Sequence, residues 1–281
     1  MQNAAVQSYV LGHAEPELER LERQGRFLEP LTRDVLVRAG LGPGMRVLDF
    51  GAGAGDVSLL LARLVGREGR VIAIDRAPEA VARARARFAA LGVANVEVRT
   101  GDETLAHELA GDAGFDAVVG RLVLLHQREP EDTLARLART LRPGGIAAFH
   151  EIEIEAGCWS SPRLPLLELT YRLIVDTFVC GGMVTDIGTR IRRGFERAGV
   201  RDVHVMREGR VEAGRDSGAY EYLVRVLRTL LPALERLRIA SAAALDLDTL
   251  EQRLRDEATA AGARFVPVFF ASAWARTPVR T

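Results

Sequence analysis

The sequence predicts an α/β protein built on a doubly wound, mostly parallel sheet. Three observations carry that expectation. Short apolar runs alternate with longer helix-like stretches between Arg46 and His150. Three glycines at alternate positions, Gly51, Gly53 and Gly55, join the first apolar run to an apolar helix. Prolines at positions 78 and 130 open two further helices, where a missing backbone N–H leaves no bond unmade. Strands that read as unbroken apolar runs are buried on both faces, as in parallel sheets flanked by helices. Right-handed crossovers then place the ligand crevice at the carboxyl ends of the strands.

Residues 15–40 read as a helix with the apolar stripe Leu21, Phe27, Leu28, Leu31, Val35 and Leu36, and Pro30 is expected to break it. Gly40 and Gly42-Pro43-Gly44 end this segment. Arg46–Phe50 is the first strand, Asp56–Val65 a helix and Arg70–Asp75 the second strand. The helix opened by Pro78 runs to Leu91 and stops at Gly92. Val96–Thr100 and Phe115–Gly120 are the third and fourth strands. A helix from Pro130 to Leu141 follows, and Pro143-Gly144-Gly145 turns into a fifth strand, Ile146–His150.

Beyond that strand the pattern changes. A mostly apolar helix is expected over Leu166–Val179, a second over Ile187–Ala198, and a strand over Val203–Arg207. Residues 216–262 give two helices broken near Pro232 and Ser241, and Phe265–Trp274 closes as a strand. Residues 1–40 are assigned as a helical lid and 41–281 as the main domain. Insertions at about 155–185 and 216–262 cap the crevice.

The chain has 281 residues, 48% of them hydrophobic, which suffices for one large domain. Its formal net charge of zero argues against a general nucleic-acid surface. No apolar run is long enough to span a bilayer, and Met1 to Tyr9 lacks the basic and apolar regions of a signal peptide. A cytoplasmic location follows as the expectation, with neither nucleic acid nor membrane as partner; a homodimer stays open. The two cysteines, Cys158 and Cys180, lack ligand spacing, so no metal is expected. Every basic residue is arginine, which excludes a lysine Schiff base.

The glycine turn is the chemical centre of the sequence. Its spacing is G-x-G-x-G, whereas a dinucleotide fingerprint reads G-x-G-x-x-G. Asp49 lies inside the strand end and Asp56 just after the loop. Two carboxylates would repel a pyrophosphate but suit the ammonium and sulfonium of S-adenosylmethionine. A tight turn with no ligand is the alternative. Asp75, at the end of the second strand with Arg76 beside it, is placed to accept from a ribose diol; its other reading is a helix N-cap. Gly101-Asp102, followed by Glu103, can serve an adenine ring or simply form a turn.

The ordered set Val47–Gly55, Ile74-Asp75, Gly101-Asp102, Phe115–Val119 and Leu141–Gly145 resembles the class I S-adenosylmethionine-dependent methyltransferases. The flanks, Tyr9–Gly12 with Glu19–Leu21 and Gln24, and Gly120–His126, are similar to a bacterial small-molecule branch related to the quinone C-methyltransferases. The resemblance implies a seven-stranded sheet of order 3-2-1-4-5-7-6 with strand 7 antiparallel. It also places Gly51, Gly53 and Gly55 along the methionine and ribose of the cofactor. Asp49 would reach the cofactor ammonium through the loop or a water. Arg121 would meet the cofactor carboxylate or form a structural ion pair, and Tyr9 and Gln24 would fold over the cofactor or pack as helix residues.

Methyl transfer needs alignment and exclusion of water, and a base only if the acceptor loses a proton. His126, His150 and Glu151 are the candidates, with His126 and Glu151 leading. An apolar cap containing Trp159, Leu166, Leu169, Tyr171, Ile174, Phe178 and Met183 suggests a small, partly hydrophobic or aromatic acceptor of the kind found in specialised metabolism. The alternative is an S-adenosylmethionine-binding protein with a non-methylating or regulatory role. A nicotinamide dehydrogenase is disfavoured by the glycine spacing.

Overall fold

The computed structural model describes residues 15–279, with side chains from residue 27 onward. Helix α1 (Glu15–Ala39) leads into β1 (Arg46–Phe50), α2 (Asp56–Val65), β2 (Arg70–Asp75), α3 (Pro78–Ala90) and β3 (Val96–Thr100). Then come α4 (Glu103–Ala110), β4 (Phe115–Arg121), α5 (Pro130–Ala138) and β5 (Leu141–Ile152). The second half holds β6 (Trp159–Ser161), α6 (Pro165–Cys180), α7 (Ile187–Arg197), β7 (His204–Glu208) and β8 (Glu212–Ala213). It closes with α8 (Ala219–Arg236), α9 (Ala242–Leu245), α10 (Leu247–Ala260), β9 (Arg264–Val266) and β10 (Phe270–Arg276).

Seven strands form one sheet in the order β3-β2-β1-β4-β5-β10-β7. β10 runs antiparallel to β5 and β7, and the remaining pairs are parallel. This is the expected order, with β7 as sixth and β10 as seventh strand. Phe50 pairs with Ile74 on one side and Gly120 on the other, so the carboxyl ends of β1, β2 and β4 lie together.

Alternation along each strand sends neighbouring side chains to opposite faces. Leu48, Phe50, Ile72, Ile74 and Phe149 pack with Leu134, Leu137 and Phe195 of α5 and α7. Val47, Val71, Ala117 and Val119 pack on the other face with Leu36 of α1 and Leu60 and Leu61 of α2. Each large side chain fully buried in this way stabilises the fold by about 1.5–3 kcal/mol. The cap has its own core: Ile174 and Phe178 of α6, Leu223, Leu227 and Leu234 of α8, and Leu250 and Leu254 of α10.

Several expectations are corrected. Pro30 does not break α1, and Pro232 does not break α8. Both prolines are exposed, while the buried stripes Leu28, Val35, Leu36 and Leu223, Leu227, Leu230, Leu234 continue past them. Burial of those stripes outweighs the single backbone bond that each proline removes. The closing strand is two strands, separated at Pro267, whose missing N–H cannot serve a ladder. The first of them joins a second, three-stranded sheet, β6-β9-β8, absent from the sequence reading. Helix α4 is also new. Strand β5 begins before Pro143-Gly144-Gly145, which bulges out between the pairs Phe115–Leu141 and Ala117–Ile146.

Candidate active site

A cavity opens where β1, β2 and β4 end, walled by the glycine loop on one side and by α6 and α8 on the other. The loop is pinned to β2 at several points. Gly51 N and Ala52 N both donate to Ile74 O, at 2.8 and 3.0 Å. Gly53 N donates to Asp75 Oδ2 at 2.8 Å, and Ala77 N donates to Asp75 Oδ1 at 2.9 Å. Asp75 therefore ties the loop after β1 to the turn after β2, while its side chain also lines the cavity.

The three glycines serve different ends. A Cβ at Gly51 would stand 2.3 Å from Val123 Cγ2, and one at Gly55 would stand 2.3 Å from Phe88 Cζ. Gly51 thus lets the turn after β4 approach, and Gly55 lets α3 approach. Gly53 has nothing within 4 Å of its Cβ position and lines the cavity with bare backbone. Gly55 does not line the cavity.

Asp49 sits within β1, 1% exposed, and accepts a hydrogen bond from Ser58 Oγ at 2.5 Å. Its carboxylate turns to Ser58 of α2 and does not itself line the cavity, so any influence on a ligand would pass through the loop or a water. Burial pushes its carboxyl up to about 6, against the opposing Ser58 hydrogen bond. Gly101 lines the cavity. Asp102 and Glu103 do not: Asp102 caps α4 by accepting from Thr104 N at 2.9 Å, and Glu103 pairs with Arg136 at 2.7 Å. A helix starts there, and one oxygen of each carboxylate is engaged, by Thr104 N and by Arg136.

Arg121 and Arg76 both line the cavity, Arg76 at its exposed rim. The Arg121 side chain is 10% exposed, lies 3.9 Å from Asp56 and donates to Thr32 Oγ1 at 3.4 Å. Asp56 in turn pairs with Arg87 at 2.8 Å. Arg121 thus stands beside Asp56 and at the cavity wall.

Of the candidate bases, His126 lines the cavity, on the short 3₁₀ turn Leu124–His126. Glu151 and His150 do not. Glu151 is fully buried, and Oε1 accepts from Val123 N and Leu124 N, each at 2.9 Å. Oε2 accepts from Leu125 N at 3.4 Å. Burial pushes its carboxyl up to about 7, although the three N–H groups favour the ion. A carboxylate held this way has no line to an acceptor in the cavity. His150 is also buried, 3.0 Å from Thr32 Oγ1, with its ring against Phe270.

Tyr9 lies outside the described residues, and Gln24 falls in α1 where its side chain is not described. Tyr171, Ile174 and Phe178 of the expected cap line the cavity, whereas Trp159 and Leu169 are exposed on the outside. Sequence reasoning missed Gln127, Ile152, Tyr222, Leu223, Val226 and Val268. Tyr222 stacks on Phe27 of α1, with ring centroids 5.1 Å apart, and so joins the first helix to the cap. Its only signal was an apolar face on the 219–236 helix. Among the described residues there is no cluster of His, Cys, Asp and Glu fit for a metal, and no helix long and apolar enough to cross a membrane.

Residues 41–173 match the model of a family described as a methyltransferase domain. An arsenite methyltransferase of Halobacterium salinarum is 35% identical over 114 residues, 41% of this chain and 29% of that protein. A protein-L-isoaspartate O-methyltransferase of Ignicoccus hospitalis is 38% identical over 119 residues, 42% of this chain and 52% of that protein. The match therefore spans between about a third and a half of these relatives' lengths. Among solved structures, the [4+2]-cyclase SpnF superposes with a TM-score of 0.53 at 22% identity, over 89% of this chain and 81% of that one. Residues 41–173 are thus similar to methyltransferase domains, and the chain shares its fold with the superposed cyclase.

Proposed function

We propose that this protein transfers the methyl group of S-adenosylmethionine to a small, largely apolar or aromatic acceptor, as a member of the small-molecule branch related to the quinone C-methyltransferases. One observation carries the reading. A single cavity has the bare glycine backbone, Asp75 and Gly101 at one end, and Tyr171, Ile174, Phe178, Tyr222, Leu223 and Val226 at the other. The first end fits an adenosyl group. Gly53 leaves space that a side chain would fill, and Asp75 retains lone pairs beyond its two amide bonds for ribose hydroxyls. The bound cofactor supplies an electrophilic methyl on a positive sulfur.

The chain's own residues then align and shield the reactants. The apolar wall excludes water and holds an uncharged ring or chain by burial. Among the described residues of the inner wall, Arg121 lies 3.9 Å from Asp56, whose charge offsets its pull on an acidic acceptor. No cysteine is found among the described residues lining the cavity, which disfavours a thiophilic acceptor such as arsenite. His126 is the side chain placed to take a proton from an acceptor that must lose one.

Transfer of radiolabelled methyl groups to a panel of phenols, quinols and apolar amines tests the reading. Turnover is expected with an uncharged aromatic member. His126→Ala should lower it by about 10²–10⁴-fold, with cofactor affinity changed far less. Cofactor binding without transfer to any member would point instead to the binding or regulatory role. Absence of cofactor binding would overturn both.

A further inference from the structure

Glu151 is a buried ionisable group with no part in the chemistry above, and its surroundings are unusual. The chain leaves β4 at Arg121 and turns through Leu122, a non-glycine residue at φ 53°. Left-handed backbone at a leucine persists only where neighbouring contacts impose it. Two such contacts are present. Leu122 N donates to His150 O at 3.0 Å, and Glu151 gathers the next three N–H groups, those of Val123, Leu124 and Leu125. Successive N–H groups converging on one carboxylate form charge-assisted bonds in a site shielded from water.

The turn so held faces the cavity at both of its ends. Val123 fills the space left by the missing side chain of Gly51, so it packs directly on the cofactor loop. Three residues later, His126 lines the cavity. A shift of the turn would move Val123 off the loop and His126 off its line together.

We propose that Glu151 is a positioning residue: its carboxylate fastens the turn after β4 and thereby holds the acceptor side of the cavity in register with the glycine loop. The assignment rests on the reading of the cavity as a methyl-transfer site. Glu151→Gln keeps the shape of the side chain but sets an NH₂ group among three donors, so at least one N–H loses its acceptor.

Two measurements on the full chain test this: amide hydrogen exchange across residues 122–127, and calorimetric titration with S-adenosylhomocysteine. Glu151→Gln should speed exchange in that segment at least tenfold, leave β1 and β2 protected, and weaken S-adenosylhomocysteine about five- to tenfold. Glu151→Asp, which retains the carboxylate on a shorter stem, should recover part of both. Glu153→Gln, which breaks a surface pair with Arg207, should change neither. Unchanged exchange over 122–127, or a loss of protection spread evenly over the sheet, overturns the assignment. So does selective loosening of the turn with unaltered affinity, since the turn would then not govern the loop. A wild-type protein that fails to bind S-adenosylhomocysteine would refute the proposed function, and the exchange result would still decide whether Glu151 fastens the turn.

Discussion

Asp75 Oδ2 lies 2.8 Å from the backbone N of Gly53, so the carboxylate that ends β2 holds the glycine loop that ends β1. The same side chain accepts from Ala77 N at 2.9 Å. Two loops that build one wall of the cavity are therefore fastened through one residue. The loop is presented in a fixed shape before any ligand arrives, which lowers the ordering cost of binding.

Asp75→Ala removes both amide acceptors and the acceptor proposed for a ribose. Hydrogen bonds to a charged group contribute about 1.5–3 kcal/mol each, so S-adenosylmethionine should bind about 10- to 100-fold more weakly. Isothermal titration of wild type and variant measures the change. Equal affinities would exclude Asp75 from the cofactor site.

Gly53 and Gly55 should respond differently to alanine. At Gly55 the new methyl would meet Phe88 Cζ at 2.3 Å on backbone of φ 85°, so the variant should lose about 2–4 kcal/mol of stability. At Gly53, with φ 54° and nothing within 4 Å, the loss should be about 1–2 kcal/mol. That methyl projects into the cavity, so Gly53→Ala should weaken cofactor binding more than its stability loss suggests. Urea unfolding and cofactor titration of both variants separate the two effects, and identical behaviour would contradict the geometry.

His150 should make the fold acid-sensitive. His150 Nδ1 lies 3.0 Å from Thr32 Oγ1, whose hydroxyl also reaches Leu28 O at 3.1 Å. Burial first, then the positive charge of Arg121, pushes the imidazole from 6.5 down to about 3. Below pH 6.5 the unfolded chain binds a proton that the folded chain refuses. Stability from the neutral ring is thus complete above pH 6.5 and is lost as pH falls toward 3, by up to about 1.4 kcal/mol per unit. Asp49 and Glu151 act in the opposite sense. Their raised values withdraw stability as pH rises, from 3.8 to about 6 and from 4.5 to about 7. Comparing wild type with His150→Gln by urea unfolding isolates the histidine. Between pH 7.5 and 4.5 the variant should gain about 2.7 kcal/mol relative to wild type, and a constant difference would show that His150 does not titrate this way.

The strands of the main sheet up to β4, the glycine loop and the place of Asp75 follow from the sequence alone. Each depends on neighbours along the chain: an apolar run, a turn that needs bare backbone, an acid at a strand end. The same local logic placed His150 and Glu151 on opposite faces of one strand, and it could go no further. Which face met the cavity depended on Thr32 from α1 and on the amides after β4, more than twenty residues away in sequence. Likewise, Asp102 and Glu103 went to a helix whose start the pattern did not reveal, and Tyr222 reached the cavity only because α8 packs on α6 and α1. Periodicity specifies the faces of an element, whereas tertiary packing decides what each face meets. The sequence thus determined the sheet and its glycine loop, and the folded structure decided which carboxylates hold the site together and which side chains line it.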